Sequence, residues 1–288
     1  MSQTEQARPA PVAILCGQGE FPLRAARAAQ DAGREVFLVG IRGVAGAGVE
    51  AFPHLWLGLG EVGAFLAALR GRGITRLAIA GAMTRPAMSD LRFDLVGIRR
   101  LPGVAKLFVG GDNHLLSGAL KMLEAEGLSI MGIEELAPGL LAPVGALTAR
   151  APGEAARADI ALCRAFIAAA SRFDIGQGVV AHAGRIVAVE AAEGTDAMLA
   201  RVAQLRREGR LRWSGRAGVL FKAAKRGQDL RIDLPAIGPR TLELAAEAEL
   251  DGLALAAGEV LMLDRAALAA EAEARGLFLF GFARDGAI

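Results

Sequence analysis

The densest group of reactive side chains in this 288-residue sequence lies in "FKAAKRGQDLRIDLPAIG", residues 221–238. It holds two of the four lysines, Lys222 and Lys225, and two carboxylates, Asp229 and Asp233. Compact ammonium groups suit phosphate oxygens, and carboxylates hold a metal ion or accept a proton. In a fully extended strand the two carboxylates would lie about 13 Å apart, too far to bind one metal ion. The stretch therefore predicts either a bend or separate roles for the two, with a solvated charged surface as the alternative without chemistry.

A second acidic group follows a predicted strand in "EAAEGTDAML". Glu190 ends the strand, and Glu193, Thr195 and Asp196 surround a glycine before the next predicted helix. Thr195 or Asp196 is a suitable N-cap for that helix, but capping does not require Glu193. Carboxylate oxygens at such a turn are ligands that Mg²⁺ accepts. We therefore interpret Glu193, Asp196 and Asp229 as candidate metal ligands.

The glycine-containing turn "CGQGEFP" joins the first predicted strand to a predicted helix. In α/β folds this position cradles a phosphate, because the backbone approaches closely and a helix N-terminus favours anions. The third glycine of a dinucleotide fingerprint is missing, so a tight turn without a ligand is an equally good interpretation. The candidate substrate-binding residues of this turn are Gly17, Gln18, Gly19, Phe21 and Pro22.

Three further motifs place polar side chains at the ends of predicted elements. In "GAMTRP", Thr84 and Arg85 follow a strand at the edge where α/β sheets bind ligands, although a solvated loop explains them equally. In "GGDNHLL", Asp112 and Asn113 are candidate substrate contacts, but helix capping alone accounts for either. Asp174 and Gln177 of "FDIGQG" precede a strand, and neither side-chain type belongs in a core. The three histidines form no HExxH pattern, so no zinc site is predicted.

Strand and helix patterns alternate in the first half of the chain. Apolar runs occur in "PVAILC", "EVFLVG", "HLWLGLG" and "RLAIAGAM", with helical segments between most of them. This rhythm predicts a Rossmann-like parallel sheet with helices on its faces. The second half mixes helices with a predicted hairpin, "GVVAHAGRIVAVE", and favours an α+β domain.

The expected fold class is therefore α/β, with two domains joined by a linker rich in proline and glycine. The predicted divisions are a flexible tail at 1–10, an N-terminal domain at 11–145, a linker at 146–158 and a C-terminal catalytic domain at 159–288.

Composition restricts the classes of partner. Lys and Arg number 33 against 31 Asp and Glu, so no strong positive field attracts nucleic acid. The absence of tyrosine and an aromatic content of 5% argue against a base-stacking surface. No apolar run approaches the roughly 18 residues of a membrane span. Two widely separated cysteines favour a reduced, cytoplasmic protein.

Taken together, these stretches resemble one family, the UDP-2,3-diacylglucosamine pyrophosphatases of the LpxI kind, which belong to lipid A biosynthesis in Gram-negative bacteria. The resemblance runs in order from "AILCGQGEFP" through "GAMTRP", "GDNHLL", "DIGQGVVAHAGRIVAVEAAEGTD" and "KAAKRGQDLRIDLPAIGPRT" to "LFLFGF". Each motif is weak alone, but the ordered set is specific. Two positions depart from the family pattern. The family more often has two acidic residues at Asp112-Asn113, which argues against a metal role for Asn113, and a proline where Arg226 stands.

The resemblance implies a Mg²⁺-dependent hydrolase that converts UDP-2,3-diacylglucosamine to 2,3-diacylglucosamine 1-phosphate (lipid X) and UMP, with water attacking the β-phosphorus. Lysines and Mg²⁺ would offset the charge of the pyrophosphate. The apolar remainder of the chain suits a cleft for acyl chains, with peripheral contact at the cytoplasmic face of the inner membrane. The implied catalytic residues are Lys222, Lys225, Asp229 and Asp233, and the implied substrate contacts of the second half are Gln177, Glu190, Thr195 and Arg231.

The spacing of the two aspartates distinguishes their expected roles. Asp229 lies closer in sequence to both lysines, which favours it as the Mg²⁺ ligand or water-activating base. Asp233 is then a candidate structural partner for Arg231 or another arginine.

Two other functional classes compete with this interpretation. A non-catalytic, nucleotide-binding regulatory protein would explain the Rossmann-like half, but it would have no need of the lysines and carboxylates around residue 225. A nicotinamide oxidoreductase is disfavoured by the incomplete glycine fingerprint and by the lack of an acidic residue at the end of "EVFLVG".

Overall fold

The computed structural model of the chain describes residues 9–82, 92, 94–98 and 112–283, with the backbone alone for 112–116. Two compact units divide the chain, one ending at Pro138 and the other beginning at Gly139. Each unit contains its own β-sheet. The family-level expectation of a two-domain α/β protein is confirmed.

The first unit contains a five-stranded parallel sheet. Its strands are β1 (Val12–Cys16), β2 (Val36–Ile41), β3 (His54–Leu57), β4 (Arg76–Ala80) and β5 (Ser129–Ile130), in the order β3-β2-β1-β4-β5. Its helices are α1 (Phe21–Asp31), α2 (Val62–Arg70), α3 (Asp112–Glu124) and α4 (Ile133–Leu136), with a 3₁₀ turn at Ala47–Ala51. This strand order reverses direction between β1 and β4, as in Rossmann-like folds, and the predicted topology is confirmed.

The strands of the first unit are continuous apolar runs in the sequence because they are buried. Every residue of β2 is buried, and β1 is buried at four of its five positions. Parallel strands covered on both faces are expected to lack polar alternation. Helix α1 packs against β1, β2 and β4, and its buried face includes three alanines, Ala25, Ala26 and Ala29. Their small side chains let the helix backbone lie close to the sheet.

The second unit contains a six-stranded mixed sheet in the order β6-β13-β11-β9-β7-β8. Its strands are β6 (Gly145–Ala146), β7 (Gly178–His182), β8 (Arg185–Val189), β9 (Val219–Lys222), β11 (Gly252–Ala256) and β13 (Phe278–Phe282); a separate short pair joins β10 (Ala236–Ile237) to β12 (Leu261–Met262). Its helices are α5 (Glu154–Ala170), α6 (Gly194–Arg207), α7 (Pro239–Glu247) and α8 (Arg265–Ala274).

The mixed sheet follows from the lengths of its connections. Strands β9, β11 and β13 are parallel, and α7 and α8 supply the long crossovers that parallel neighbours need. Strands β7 and β8 form the predicted antiparallel hairpin. The hairpin turns at Ala183 and Gly184, which both have positive φ, 50° and 73°. The buried Asp159 of α5 stabilises this turn by accepting from both turn amides, at 3.0 and 2.7 Å.

The segment predicted as the linker lies within the second unit. Strand β6 pairs with β13, and α5 begins at Glu154, so residues 154–158 are helical. Gly153, in extended conformation, occupies the N-cap position, and Glu154 places a negative charge in the first turn. The composition signal for a linker therefore coincides with a helix start.

The environments of both cysteines disfavour reaction of their thiols. Cys16 ends β1 and Cys163 lies in α5, and each is free and buried. Burial raises the pKa of both thiols to about 12. Among the helices in the described ranges, none has the length and apolar character that crossing a membrane requires.

Candidate active site

The sheet of the second unit brings several charged motifs to one edge. Strand β9 ends at Lys222, which lies opposite Gly178, the first residue of antiparallel β7. The segment that holds Gln177 therefore lies beside the segment that follows β9. Strand β8 ends just before Glu190, whose amide donates to the Gly178 carbonyl at 2.9 Å. The segments that contain Gln177, Glu190 and Lys222 thus meet at this edge of the sheet, as the strand pairing requires.

Lys222 is held at this edge by a directional hydrogen-bond chain. Only 4% of its side chain is exposed. Its Nζ donates to Thr195 Oγ1 at 2.6 Å and to the Ala236 carbonyl at 3.1 Å. The Thr195 hydroxyl in turn donates to Glu190 Oε1 at 2.9 Å. Because a hydroxyl has a single proton, accepting from the ammonium and donating to the carboxylate fixes its orientation.

Glu190 completes this Lys222–Thr195–Glu190 chain as its negative end. Its Oε2 lies 3.9 Å from Lys222 Nζ and is buried without a hydrogen-bond donor. Glycines make room for the carboxylate: a Cβ on Gly178 would lie 2.6 Å from Oε2, and one on Gly176 would lie 2.5 Å from the Glu190 carbonyl oxygen. The glycines of "FDIGQG" therefore make room for a largely buried glutamate side chain.

Burial lowers the pKa of Lys222, while the negative charges of Glu190 and Asp196 oppose that effect. The lysine is consequently easier to deprotonate than a solvated one. The predicted cap of α6 is wrong, because Glu193 occupies the N-cap position without a side-chain capping bond. The Thr195 hydroxyl is used by Lys222 and Glu190 instead.

Lys225 has a different set of partners. Its Nζ donates to Asp174 Oδ1 at 2.5 Å, and its backbone amide donates to Gln228 Oε1 at 2.9 Å. Asp174 follows the 3₁₀ turn Ser171–Phe173 and has a left-handed conformation, with φ 54°. Aspartate tolerates that conformation better than most residues. The second lysine is therefore anchored to the segment that precedes β7.

The chain bends between the two aspartates of the charged stretch. The Asp229 carbonyl accepts from the amides of Ile232 and Asp233, both at 3.2 Å, which defines a turn. The extended alternative is therefore wrong for this segment. The bend leaves the two carboxylates with different partners.

Asp229 forms an ion pair with Arg231. The guanidinium donates from Nε to Oδ1 at 2.9 Å and from a terminal nitrogen to Oδ2 at 2.7 Å. This bidentate contact lowers the pKa of Asp229, so its carboxylate stays ionised near neutral pH. The Asp229 side chain remains 27% exposed. The sequence favoured Asp233 as a partner of this arginine, but in the structure Arg231 pairs with Asp229.

Asp233 lies in a more enclosed environment. Burial raises its pKa, and the opposing influences are the Lys225 charge and hydrogen bonds from the side chains of Gln177 and Gln228. The negative charge of Asp174 adds to the upward shift. A carboxylate of raised pKa is a better proton acceptor than one held by a guanidinium. Gln177, predicted from its position before β7, is therefore brought to this carboxylate.

The candidate metal ligands are not all brought together. Glu193 pairs with Arg201, at 3.1 Å from Oε1, and Asp196 is exposed beside the start of α6. Across residues 9–82, 92, 94–98 and 112–283, no cluster of three or more His, Cys, Asp or Glu side chains is suited to hold a metal ion. The described residues thus offer individual carboxylates, of which Asp229 is ionised and partly accessible.

In the first unit, the turns after β1 and β4 are joined at the reversal point of the sheet. Gln18 and Ala82 form an antiparallel bridge, with N–O distances of 2.7 and 3.3 Å. Two glycines permit this contact. A Cβ on Gly17 would lie 2.6 Å from the Ala82 carbonyl oxygen, and one on Gly81, where φ is +95°, would lie 2.6 Å from the Gln18 carbonyl oxygen.

The turn after β1 leads directly into helix α1. Gly19 has φ +86°, and α1 begins directly afterwards at Phe21, with a buried Pro22 and no side-chain cap at Glu20. The first amides of a helix are unsatisfied within the helix and favour anions. Of the residues predicted here, Gln18 and Gly19 are exposed at the expected edge of the sheet, Phe21 is half-buried, and Gly17 and Pro22 are buried.

Thr84 and Arg85 lie outside the described residues. For Asp112 and Asn113, which begin α3, the structure describes only the backbone.

Sequence reasoning singled out Asp174 without finding its partner, and it missed Glu259. Asp174 contacts Lys225, and the buried Glu259 accepts from the Ala224 amide at 3.3 Å, beside the same loop. The signal for Glu259 was present, since "AAGEVLML" places a single acid within an apolar run. Asp174 was visible in "FDIGQG", but its partner is 51 residues away and no local pattern connects them.

Comparison with known proteins identifies the family of this chain. The family described as LpxI N-terminal domain matches residues 11–140, and the LpxI C-terminal domain family matches residues 143–280. A curated protein of Caulobacter vibrioides, named UDP-2,3-diacylglucosamine pyrophosphatase LpxI, is 38% identical over 268 residues. The match covers 93% of this chain and 96% of that protein.

Proposed function

Because the chain belongs to the LpxI family, we propose that it hydrolyses the pyrophosphate of UDP-2,3-diacylglucosamine to UMP and 2,3-diacylglucosamine 1-phosphate. The observation that carries this proposal is the convergence of Lys222, Lys225 and several carboxylates at one sheet edge. A pyrophosphate ester is densely anionic, and its departing oxygen gains charge as the bond breaks. Fixed ammonium groups stabilise that charge without reorganising.

The two lysines have distinct proposed roles. Lys222 is almost fully buried and its ammonium already has two acceptors, so it holds the end of β9 and supplies fixed positive charge. Lys225 lies in the loop after β9 and pairs with Asp174, which is half exposed. A substrate phosphate can compete for an ammonium bound to one partly exposed carboxylate more easily than for the Lys222 ammonium. We therefore assign direct phosphate contact to Lys225.

The two carboxylates have different proposed roles, one in proton transfer and the other in holding a metal ion. Asp233, whose pKa is raised by burial, is the proposed acceptor of a proton from the attacking water. Asp229, ionised by its contact with Arg231, is the proposed metal-holding carboxylate. Arg231 keeps Asp229 oriented and contributes further positive charge near the phosphates.

A Mg²⁺ requirement is part of the proposal. Mg²⁺ bound with a phosphate substrate commonly uses one or two protein carboxylates, phosphate oxygens and water. Asp229, ionised and with 27% of its side chain exposed, is a carboxylate that can supply such a ligand. The ion would neutralise phosphate charge and polarise the phosphorus centre when bound. Full turnover in excess EDTA would contradict this part alone.

The reaction is tested by incubating the purified protein with detergent-dispersed UDP-2,3-diacylglucosamine and Mg²⁺, and measuring UMP. We expect UMP and the 1-phosphate in equal amounts. Lys225→Ala should lower the rate by at least about 10²-fold. Lys121→Ala, which removes an exposed lysine of α3, is the matched control and should leave the rate unchanged. Absence of UMP from the unmodified protein would reject the function.

The attacked phosphorus is tested with ¹⁸O-labelled water. Attack at the β-phosphorus places the label in the 1-phosphate product and leaves UMP unlabelled. Label in UMP would instead identify the α-phosphorus. Because the substrate carries two acyl chains, we place the working enzyme at the cytoplasmic face of the inner membrane, as a peripheral protein.

A further inference from the structure

We propose that the 3₁₀ turn Ser171–Phe173 and the segment Ala224–Arg226 together form a docking edge for the surface of an anionic phospholipid bilayer. We call these six residues the Phe173 edge. The inference deepens the proposed function and rests on it, since a substrate with two acyl chains is supplied from a bilayer. A soluble active site must then reach the headgroup layer, and one face of the molecule must do so.

The first observation is an aromatic side chain turned toward solvent. Phe173 is 65% exposed. Within the described ranges, the exposed large apolar side chains are Leu95, Ile98, Val144 and Phe173, and Phe173 is the aromatic one. Single exposed apolar residues are common on soluble proteins, so exposure alone assigns nothing. What distinguishes Phe173 is its attachment and its neighbours.

The second observation is that the turn is fixed to the loop of the proposed phosphate-binding lysine. The Arg226 amide donates to Ser171 Oγ at 2.9 Å, and Ser171 Oγ donates to the Ile167 carbonyl at 2.7 Å. One residue beyond Phe173, Asp174 accepts from Lys225 Nζ. Phe173 is thus held between two contacts to the Lys225 loop. A bilayer touched by Phe173 would lie directly beside the proposed reaction centre.

The third observation is the charge of the edge. The Arg172 guanidinium carbon lies 4.6 Å from the centre of the Phe173 ring, and both Arg172 and Arg226 are exposed. Asp174, the acidic residue that follows the turn, is paired with Lys225. An aromatic ring flanked by arginines is the composition that binds where headgroups meet acyl chains. Each cation near an anionic lipid surface adds attraction that salt screens.

Arg226 has two roles at this edge. Its side chain is exposed in the loop that contains Lys225. Its backbone amide makes the bond to Ser171. The same residue therefore supplies both a positive charge and the attachment of the turn.

Sedimentation with vesicles tests the edge in the full-length protein. Vesicles of phosphatidylcholine with about one third phosphatidylglycerol are compared with pure phosphatidylcholine vesicles. We expect binding to the anionic vesicles that falls at high salt. Phe173→Ser should weaken this binding by about tenfold, the loss expected if roughly half of the transfer free energy of the side chain is forfeited. The double variant Arg172→Ser/Arg226→Ser should weaken it by about 30-fold.

The matched control removes two arginines from another surface of the same unit. Arg210 and Arg212 are exposed in the loop after α6. Arg210→Ser/Arg212→Ser loses the same charge and should bind the anionic vesicles as the unmodified protein does. An equal or larger loss in this control would overturn the assignment and move the docking surface to the α6 loop.

A fluorescence measurement covers the case in which Phe173→Ser folds poorly. Phe173→Trp keeps an aromatic ring that favours the headgroup region. It should bind anionic vesicles at least as tightly as the unmodified protein, and its emission should shift to the blue on binding, beyond the background of Trp56 and Trp213. An unchanged emission on vesicles that sediment the protein would overturn the proposal.

Activity separates this proposal from the proposed function. With detergent-dispersed substrate, Phe173→Ser should keep the unmodified turnover, and with substrate in anionic vesicles it should lose about tenfold. An equal loss in both assays would mean that Phe173 contacts the substrate, and would overturn membrane docking. If the unmodified protein hydrolyses the substrate but does not bind vesicles, only the docking proposal is refuted. If it binds vesicles but releases no UMP, only the proposed function is refuted.

Discussion

At the scale of single residues, two aspartates four positions apart have opposite environments. Arg231 lowers the pKa of Asp229, and burial raises the pKa of Asp233. A general base must be unprotonated to work, so a base of raised pKa loses activity as the pH falls through that raised value. An ion-paired carboxylate with a lowered pKa stays charged over the same range. The two roles can therefore be separated by pH.

We predict that Asp233→Asn lowers kcat by at least about 10²-fold and removes the acidic limb of the pH–rate profile. In the unmodified enzyme, that limb should have a midpoint above the ordinary aspartate value of 3.8. Asp229→Ala should lower kcat by a similar factor but keep the limb, with little change in melting temperature because its ion pair is partly exposed. Asp31→Ala, at the exposed end of α1, serves as the control. An acidic limb that persists in Asp233→Asn would return the role of base to Asp229.

The Lys222–Thr195–Glu190 chain makes a second prediction at this scale. Burial lowers the pKa of Lys222, so activity that needs its ammonium should be lost as the pH rises through a value below 10.5. Thr195→Val removes an acceptor that favours the charged lysine, and should move this alkaline limb to lower pH. It should also cost about 1–3 kcal/mol of unfolding free energy. Thr195→Ser keeps the hydroxyl, so it should have the alkaline limb and the stability of the unmodified protein. If Thr195→Val does not move the alkaline limb, the proposed role of the Lys222–Thr195–Glu190 chain is refuted.

At the scale of secondary-structure elements, the joined turns after β1 and β4 depend on two glycines. Gly17→Ala would place a Cβ 2.6 Å from a carbonyl oxygen, and Gly81→Ala would also require an unfavourable φ. We predict that each costs about 1–3 kcal/mol and weakens substrate binding if the turn holds phosphate. Gly46→Ala in the same unit meets open space at negative φ and is the control. Equal melting temperatures for Gly17→Ala and Gly46→Ala would contradict this prediction, because the two turns could then move apart at no cost in stability.

The elements themselves could be predicted from local patterns. Buried parallel strands read as apolar runs, and glycines or prolines mark the turns, so β1, β2 and β4 were located within one to three residues. Residues 154–158 were predicted as linker but belong to helix α5, because the proline and glycine just before them suggested a linker. Contacts distant in sequence were not predictable in the same way. The Asp174–Lys225 pair and the bend at Asp229 depend on how β7 and β9 align.

At the scale of the whole molecule, each unit has its own sheet, and the described core cluster of the second unit runs from Ala142 to Phe282. We predict that a destabilising change in one unit leaves the other largely unaffected. Asp159→Ala leaves the Ala183 and Gly184 amides without an acceptor and should cost about 2 kcal/mol. Differential scanning calorimetry should show that Asp159→Ala and Gly17→Ala shift different components of the transition. A double variant whose loss differs clearly from the sum would contradict this independence.

The burial of both cysteines has a practical consequence. With a pKa of about 12 for each thiol, only about one in ten thousand is a thiolate at pH 8, and neither sulfur is on the surface. Maleimide dyes should therefore leave the unmodified chain untouched. A single cysteine introduced by Phe173→Cys would be labelled selectively, without first removing Cys16 or Cys163. The protein is in effect already a cysteine-free scaffold for attaching polarity-sensitive or spin labels at any chosen surface position.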